Sequence, residues 1–576
     1  MNNLPYAKKE IILLSVLLLI YTFIAFFRLG SLKAPVSGWM PDKGDGVLIE
    51  LSEKETIKFI STYSGTSGGM YNIEYSSDGT NWQSSKTLIS APFTWKRTLV
   101  NFEASAIKII AETSDSILYE AGLWKIKDNW LYLLPVKNII SLTTNSQDKK
   151  NPKNLFDEQQ LVPFIPSFFN SMYFDEVYHA RTAFEHIHGL EPFEWTHPPL
   201  GKLFIAAGIL IFGMNPFGWR IAGTICGILM ILIFYIFARN IFKSRRYAFI
   251  AAFLLSVDFM HFTQSRIATI DVYAVFFIIL MYLFAYQIYN QIHLIENWHK
   301  MLLPLFLCGL FFSLGVATKW ICFYAESGIA IIFIISILDY FKKEKLNSKI
   351  SFKKSSLQRK NIFTVIALTF CFFILLPSVI YFLSYIPTLF VKGHDLSSIW
   401  KYQLQMLKYH SELQATHPFS SKWWSWPLML KPVWYYSGQQ YLPTETISSI
   451  VSMGNPFIWW IGIAAIIISS IYGIKRKDKK ILFILIGFLS QYIPWIFVQR
   501  LTFIYHFFAS LPFMILFIVY TIEMLEKKFN NFKYFTYGYL LITFLAFILF
   551  YPILSGFPVS RGYVEILRWL DSWIFM

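Results

Sequence analysis

Long apolar runs recur along most of the chain, and they constrain its fold more than any other feature. A helix needs about 20 apolar residues, and at least about 17, to cross a bilayer. Only 15% of the 576 residues are charged, against roughly 25% in a soluble domain. The pattern predicts a polytopic α-helical membrane protein with about 11 transmembrane helices. The predicted spans are residues 11–27, 217–242, 247–264, 267–291, 301–320, 322–342, 362–390, 456–474, 480–498, 501–525 and 533–553.

The charges between the runs predict the orientation of the chain in the membrane. If the short apolar segment Leu200–Phe212 does not span, the basic loops 243–246, 341–361, 475–480 and 527–528 all fall on the cytoplasmic side. Loop 341–361 alone holds eight Lys or Arg against one acid. We therefore expect Leu200–Phe212 to lie at the outer interface as an amphipathic helix. The net charge of +16 then reflects positive cytoplasmic loops, not a nucleic-acid-binding surface. We expect a multi-pass plasma-membrane protein with a cytoplasmic N-terminus and an extracytoplasmic active site.

Residues 35–130 differ from the rest because they are polar and rich in strand-like segments. The turn signal Ser77-Asp78-Gly79-Thr80 lies between two of these segments. The stretch 71–82 resembles a hairpin of discoidin-like β-sandwiches, a resemblance that implies bound glycan or lipid headgroup; a packing module is the alternative. The predicted domains are an anchor at 1–30, an outer β-sandwich at 35–130, an outer loop with interfacial helices at 131–216, and a transmembrane region at 217–576 with a large outer loop at 391–455.

The first outer loop carries the residues best suited to acid–base chemistry. Asp175 and Glu176 are adjacent acids in an aromatic setting, and His197 and Lys202 follow just before and within the short apolar segment. Neighbouring residues of a helix point about 100° apart, so one acid can serve as a base while the other orients it or binds sugar hydroxyls. The alternative is an ordinary solvated acidic pair.

Four cations fall at the ends of predicted spans on one side of the membrane: Arg220, Arg266, Lys319 and Arg500. Cations at one depth suit an anionic group such as a lipid-linked phosphate. Snorkelling to headgroups is the alternative, and Asp258 or Asp271 could instead pair with Arg266. The later outer loop adds His417, Trp423 and Trp426, whose aromatic rings fit either sugar stacking or an interfacial aromatic belt.

Together these segments resemble the protein O-mannosyltransferases, glycosyltransferase family 39. The matching motifs occur in family order between residues 170 and 515. They are FDEVYHA (174–180), HPPLGK (197–202), Arg220, SRIATID (265–271), ATKW (317–320), HPFSSKWWSWPL (417–428), KPVWYY (431–436), MGNP (453–456) and the PW…R…FxYH pattern that ends at His506.

The resemblance implies a GT-C fold and an inverting transfer of mannose from a polyprenyl phosphate to Ser or Thr hydroxyls of exported proteins. It implies that Asp175 is the general base, that Glu176 supports it and that Arg220 is needed for activity. By position we expect Arg220, Arg266, Lys319, Arg500 and His506 to contact the donor phosphate or sugar. We expect acceptor or sugar contacts from His197, Lys202, His417, Trp423 and Trp426. We expect no metal and no cofactor.

Three alternatives remain open at the level of sequence. The same chemistry could act on a cell-wall glycan or a lipid, since the acceptor groove is not readable. A transporter or flippase for a lipid-linked sugar would place functional charges at mid-membrane depth and show internal repeats. An anchored surface-binding protein would need one span only.

Overall fold

Each predicted apolar run corresponds to helical structure. The computed structural model of the chain describes residues 8–142, 151–291, 298–346 and 352–576, so parts of the predicted segment 131–216 and of the basic loop 341–361 lie outside the described residues. The helices are α1 Lys8–Phe26, α2 Glu176–Ile187, α3 Leu200–Phe212, α4 Pro216–Phe242, α5 Arg245–Ser256, α6 Phe259–Ser265, α7 Asp271–Gln291, α8 His299–Val316, α9 Cys322–Leu346, α10 Phe352–Phe370, α11 Leu376–Ser384, α12 Leu396–Glu412, α13 Pro456–Lys475, α14 Lys479–Tyr492, α15 Leu511–Lys528, α16 Phe532–Ser555 and α17 Arg561–Ile566.

Eight helical segments within the described residues are long and apolar enough to cross a membrane. The pair α5 and α6, bent by 62°, supplies a ninth. The shorter α1 and the more charged α15 occupy the two remaining predicted runs. The predicted polytopic helical fold is therefore confirmed.

Two predicted runs are not single helices. Run 247–264 breaks where the Asp258 carboxylate caps α6, accepting from the backbone N–H of Met260 at 3.0 Å and of His261 at 3.2 Å. Asp258 also accepts from the indole of Trp459 at 2.9 Å, so the suggested pair with Arg266 does not form. In run 501–525 the regular helix begins only at Leu511, after a 3₁₀ turn at Ile504–Ala509.

The short helix α3 has 13 residues, which span about 20 Å and cannot cross the hydrocarbon core. It packs closely on α4, because a Cβ at Gly208 would lie 2.4 Å from the Gly218 carbonyl oxygen. At the other end of α3, the backbone N–H of Leu200 donates to the Ala317 carbonyl at 3.1 Å, which places the start of α3 beside the end of α8. The predicted position of α3 at the outer interface stays a prediction.

The segment between α1 and α2 folds as antiparallel β-structure. Its strands are β1 Gly46–Ser64, β2 Met70–Ser76, β3 Gln83–Ser84, β4 Leu88–Ile89, β5 Trp95–Ala111, β6 Leu118–Lys127, β7 Trp130–Leu133 and β8 Asn138–Ser141. They form one eight-stranded sheet instead of two separate sheets, and it extends past residue 130. The long strands β1 and β5 change register at bulges, and apolar side chains such as Trp39, Ile57 and Ile107 fill the core.

The predicted turn at 77–80 connects β2 to β3. The Asp78 carboxylate accepts from the backbone N–H of Thr80 and of Asn81, both at 2.8 Å. An Asp side chain that bonds its own following backbone is a common basis of such turns. The resemblance to discoidin-like domains stays a prediction.

The β-sheet domain docks on the segment that leads into α2. Arg97, on β5, donates to the carbonyl oxygens of Pro163 at 3.0 Å and Phe164 at 2.7 Å. The backbone N–H of Met172 donates to the Phe93 carbonyl at 3.1 Å, and that of Trp95 donates to the Ser171 hydroxyl at 3.0 Å. The sheet therefore braces the chain immediately before Asp175.

Candidate active site

Asp175 lies at the start of α2, and its carboxylate has no partner among the described residues. Its backbone carbonyl accepts from the N–H groups of Tyr178 at 3.0 Å and His179 at 3.1 Å. Among the described residues, none hydrogen-bonds or ion-pairs with the side chain. The preceding residue, Phe174, has a φ of 48°, a strained backbone conformation for a bulky side chain. The Phe174 ring stacks on Tyr435 at 4.2 Å, which stabilises this conformation and fixes where Asp175 emerges.

The surroundings of Asp175 favour a protonatable carboxyl. Burial, and then the nearby carboxylate of Asp271, raise its pKa to about 7, although Lys319 opposes the shift. A general base works best when its pKa lies near the working pH. Asp175 can therefore accept a proton from a substrate group at neutral pH.

Glu176, by contrast, uses both carboxylate oxygens to accept hydrogen bonds from protein groups. Its two carboxylate oxygens accept from Arg220, at 2.6 Å from Nε and at 2.7 Å from Nη2. They also accept from the indole of Trp219 at 3.2 Å and the backbone N–H of Ala268 at 3.1 Å. Glu176 is completely buried, and its hydrogen bonds suit it to position the start of α2.

Arg220 does not contact a donor phosphate as expected. It is completely buried, and its guanidinium donates to Glu176 and to three backbone carbonyls. Those carbonyls belong to Leu29 and Phe168, each at 2.8 Å, and to Ser171 at 3.0 Å. Since a guanidinium has five N–H groups, none remains for a ligand. Arg220 instead joins the end of α1, the loop before α2 and the start of α4.

Arg266 also donates hydrogen bonds to backbone carbonyls. Its Nη2 donates to the carbonyl oxygens of Phe27 at 2.8 Å and Arg28 at 3.1 Å. The guanidinium lies over the Phe262 ring, 5.0 Å from its centroid. Its buried Nε–H has no hydrogen-bond partner among the described residues, so the expected phosphate contact of Arg266 stays a prediction.

Lys319 and Arg500 line one cavity, which we call the Lys319 cleft. It has a volume of about 330 Å³, and its walls include His197, Tyr324, His410 and Trp495. Lys319 donates to Asp271 at 2.8 Å, which leaves two of its three N–H groups. Arg500 makes no hydrogen bond or ion pair with any of the residues described. Two cations on one cleft form a site suited to an anionic ligand.

A second cavity, which we call the Trp423 cavity, adjoins the first. It measures about 1000 Å³, and its walls include His417, Lys422, Trp423 and Thr502. Arg500, Trp495 and Gln499 line both cavities. His197 lines the Lys319 cleft, and His417 and Trp423 line the Trp423 cavity, so all three lie at a cavity surface as expected.

Three expected contact residues are instead packing elements. Lys202 is buried, and its ammonium donates to the Glu194 carboxylate and to the carbonyls of Glu194, at 2.7 Å, and His197, at 2.9 Å. Trp426 is fully buried and stacks near His506, with ring centroids 5.9 Å apart. His506 is itself buried, and its Nδ1 faces the Phe503 backbone. None of the three reaches either cavity.

Sequence reasoning missed two contributors to the site. Glu194 is a buried acid that holds both Lys202 and His197, and its short spacing to them was an available signal. His410 reaches the Lys319 cleft from α12, where it bonds the Thr196 carbonyl at 2.8 Å. No local pattern indicates this contact, because more than 200 residues separate the two partners along the chain.

Within the described residues, one acidic group has a spacing that could hold a metal ion. It comprises Glu120, Asp157 and Glu158, beside the β-sheet and not in the Asp175 loop. Their oxygens already accept from Ser37, Gln159 and a backbone N–H. The expectation that the chemistry at Asp175 needs no metal or cofactor stays a prediction.

The two acids should respond differently to loss of charge. Glu176→Gln leaves the buried Arg220 guanidinium without its counter-ion, a defect that costs about 3–5 kcal/mol. We expect a clearly lowered thermal unfolding temperature of the detergent-solubilised protein. Asp175→Asn breaks no contact and should leave that temperature unchanged. Equal stability of the two variants would contradict the positioning role of Glu176.

Comparison with known proteins agrees with this geometry. Residues 165–389 match the family described as dolichyl-phosphate-mannose-protein mannosyltransferase, and residues 395–573 match the C-terminal four-span region of protein O-mannosyltransferases. A polyprenol-phosphate-mannose–protein mannosyltransferase of Mycolicibacterium smegmatis is 26% identical over 460 residues, covering 69% of this chain and 87% of that protein. The corresponding protein of Corynebacterium glutamicum is 23% identical over 435 residues, covering 66% and 81%.

A solved structure supports the same conclusion for the fold. The Saccharomyces cerevisiae Pmt1–Pmt2 complex bound to its sugar donor superposes with a TM-score of 0.60 at 13% identity, covering 70% of this chain and 89% of that chain. The β-sheet domain precedes both family matches, which begin at residue 165. The two matches together cover more than two thirds of the sequence. This chain therefore belongs to the protein O-mannosyltransferase family and has the GT-C membrane fold.

Proposed function

We propose that this enzyme, a polyprenyl-phosphate-mannose–protein mannosyltransferase, moves mannose with inversion onto Ser or Thr hydroxyls of exported proteins. One observation carries the proposal: the partner-free carboxylate of Asp175 lies near the Asp271–Lys319 pair, whose lysine lines a cleft with Arg500. A base near a lysine whose cleft also holds an arginine is suited to the displacement of a phosphate by a hydroxyl.

The reaction follows from these positions. The acceptor hydroxyl oxygen attacks the anomeric carbon of mannose while Asp175 takes the hydroxyl proton. The bond between that carbon and the phosphate oxygen breaks, and the electron pair leaves on polyprenyl phosphate. Phosphate is a good leaving group, so the site needs cations for the developing charge more than a general acid.

Lys319 and Arg500 have different parts in this scheme. Arg500 has its whole guanidinium available, since no described residue pairs with it, and a guanidinium matches phosphate through two parallel N–H bonds. Lys319 is held by Asp271 at 2.8 Å and offers its remaining protons as a fixed point charge. The same ammonium opposes the rise in the pKa of Asp175, so it couples the phosphate side to the base.

The proposed setting is the plasma membrane, with a cytoplasmic N-terminus and an extracytoplasmic active site. The basic loop 243–246 and the basic segment 475–480 support this orientation under the positive-inside rule. We further propose that the β-sheet domain holds a glycan. The exposed rings of Trp130 and Tyr132, two residues apart on β7, support that role because sugar faces stack on such rings.

A cell-wall glycan or lipid acceptor is the second candidate, since the wide Trp423 cavity admits either class. Analysis of the mannosylated product separates the two. A transporter or an anchored binding protein is disfavoured because the chain belongs to an enzyme family.

Replacing the base should abolish transfer. Asp175→Asn keeps the side-chain shape and cannot accept the proton, so we expect a loss of at least about 100-fold in kcat. Donor binding should persist, because the cations remain. The measurement is transfer of radiolabelled mannose from polyprenyl phosphate to a Ser/Thr-rich peptide, with the exposed Asp115→Asn variant as the matched control. Near-normal turnover by Asp175→Asn would disprove the assignment.

The pH profile should report the same group. A base is active only when deprotonated, so kcat/KM should fall as the pH drops through the Asp175 pKa of about 7. Below that value the logarithm of the rate should decrease by about one per pH unit. A kcat/KM for the peptide that is constant between pH 5 and 8 would contradict a titrating base.

Removing the free guanidinium should weaken donor binding. A hydrogen bond to a charged group contributes about 1.5–3 kcal/mol, so Arg500→Gln should raise the donor KM about 10- to 100-fold. Arg476→Gln, an exposed arginine of the segment between α13 and α14, is the control and should change nothing. An unchanged donor KM in Arg500→Gln would remove this residue from the phosphate site.

A further inference from the structure

Helix α12 carries an apolar stripe that faces away from the protein. Four side chains form it, and their exposed fractions are 76% for Leu396, 62% for Trp400, 52% for Leu404 and 54% for Leu407. At 3.6 residues per turn these positions fall within an arc of about 80°. A second apolar face, formed by Ile399, Tyr402 and Met406, is buried against the protein. The third face is exposed and polar, with Lys401, Gln405 and Lys408. Of the two apolar faces, only one packs on protein.

The position of α12 indicates what covers the stripe. The helix begins shortly after the candidate span Asn361–Phe390, whose last residue, Phe390, is exposed. Only 11% of the apolar 18-residue window of that span is buried inside the protein, which indicates a lipid-facing segment directly before α12 in the chain. Lys401 and Lys408 border the stripe on the helix, where their ammonium groups can reach lipid phosphates while their stems lie on apolar surface. This combination is typical of helices that lie in the membrane interface.

The same helix is fastened to the wall of the Lys319 cleft. Tyr402 donates to the Glu191 carboxylate at 2.6 Å, and the Tyr381 hydroxyl donates to Gln403 at 2.7 Å. Near the C-terminal end of α12, His410 bonds the Thr196 carbonyl at 2.8 Å and lines the cleft. If the membrane fixes the depth of α12, these hydrogen bonds also fix the depth of the cleft wall in the membrane.

We propose that α12 lies in the headgroup boundary of the outer leaflet through Leu396, Trp400, Leu404 and Leu407, and so holds the mouth of the Lys319 cleft at the depth of a lipid-linked phosphate. The partner is the lipid surface itself, and an interfacial helix buries its apolar face by about 5–10 Å. The consequence for catalysis rests on the proposed function, because it concerns capture of the lipid-linked donor.

Depth can be measured without any activity. A nitroxide at Leu404→Cys, in a background with the exposed Cys371 replaced by Ser, should collide with membrane-dissolved oxygen more than with a water-soluble nickel chelate. The full-length protein is reconstituted in vesicles containing phosphatidylglycerol and phosphatidylcholine. A nitroxide at the neighbouring Gln405→Cys is the control and should favour the chelate. Equal exposure of both labels to the chelate would overturn the proposal, whatever the enzyme does.

Kinetics test the second half of the proposal. In the same vesicles, Leu404→Ser and Trp400→Ser should each raise the KM for the polyprenyl donor at least about threefold, with kcat and the peptide KM within twofold. Gln405→Ser makes a matched change on the polar face and should behave as wild type. A rise in the peptide KM alone would make the stripe a peptide-binding surface and overturn the proposal. An unchanged donor KM in both apolar variants would also overturn it.

Discussion

The buried ion pair between Arg220 and Glu176 is the contact on which the active site depends. Two charges removed from water are tolerated only when every donor and acceptor is satisfied, and here the guanidinium also binds the carbonyls of Leu29, Phe168 and Ser171. The pair therefore joins three segments that are distant in sequence. Because Glu176 is locked, its neighbour Asp175 has a defined direction, and the strained Phe174 gives it no freedom to turn away.

The adjacent acids illustrate how surroundings divide roles between identical functional groups. Glu176 receives hydrogen bonds from four residues and is part of the scaffold. Asp175 receives none from any described residue, and burial with the Asp271 carboxylate moves its pKa to about 7. The β-sheet domain contributes to this arrangement from outside, since Trp95 and Phe93 hold the chain at Ser171 and Met172.

The sequence predicted the spans and the Asp175 loop because both depend on local patterns: run length for the spans and adjacent acids for the loop. It did not predict that protein groups would occupy every N–H of Arg220, because its partners Glu176 and Leu29 lie in distant segments. The partners of Lys202 lie within eight residues of it, so that spacing was a signal that the interpretation did not use. Trp426 and His506 were predicted to contact a substrate, and this prediction failed for a related reason. Aromatic residues at an interface look alike in sequence, whereas burial in the fold separates Trp426 from Trp423. The apolar stripe on α12 could have been predicted from the helical spacing of its four residues. The sequence of this loop was interpreted only for its aromatic motifs.

Arg500 lies on the wall common to the two cavities, and this position has a consequence for turnover. Under the proposed assignment of Arg500 to the donor phosphate, the phosphate keeps its negative charge after the sugar has left, so the same guanidinium also holds the spent lipid. Spent and fresh lipids then compete for one cation. We therefore expect free polyprenyl phosphate to inhibit the enzyme, and release of the used carrier to contribute to the turnover time.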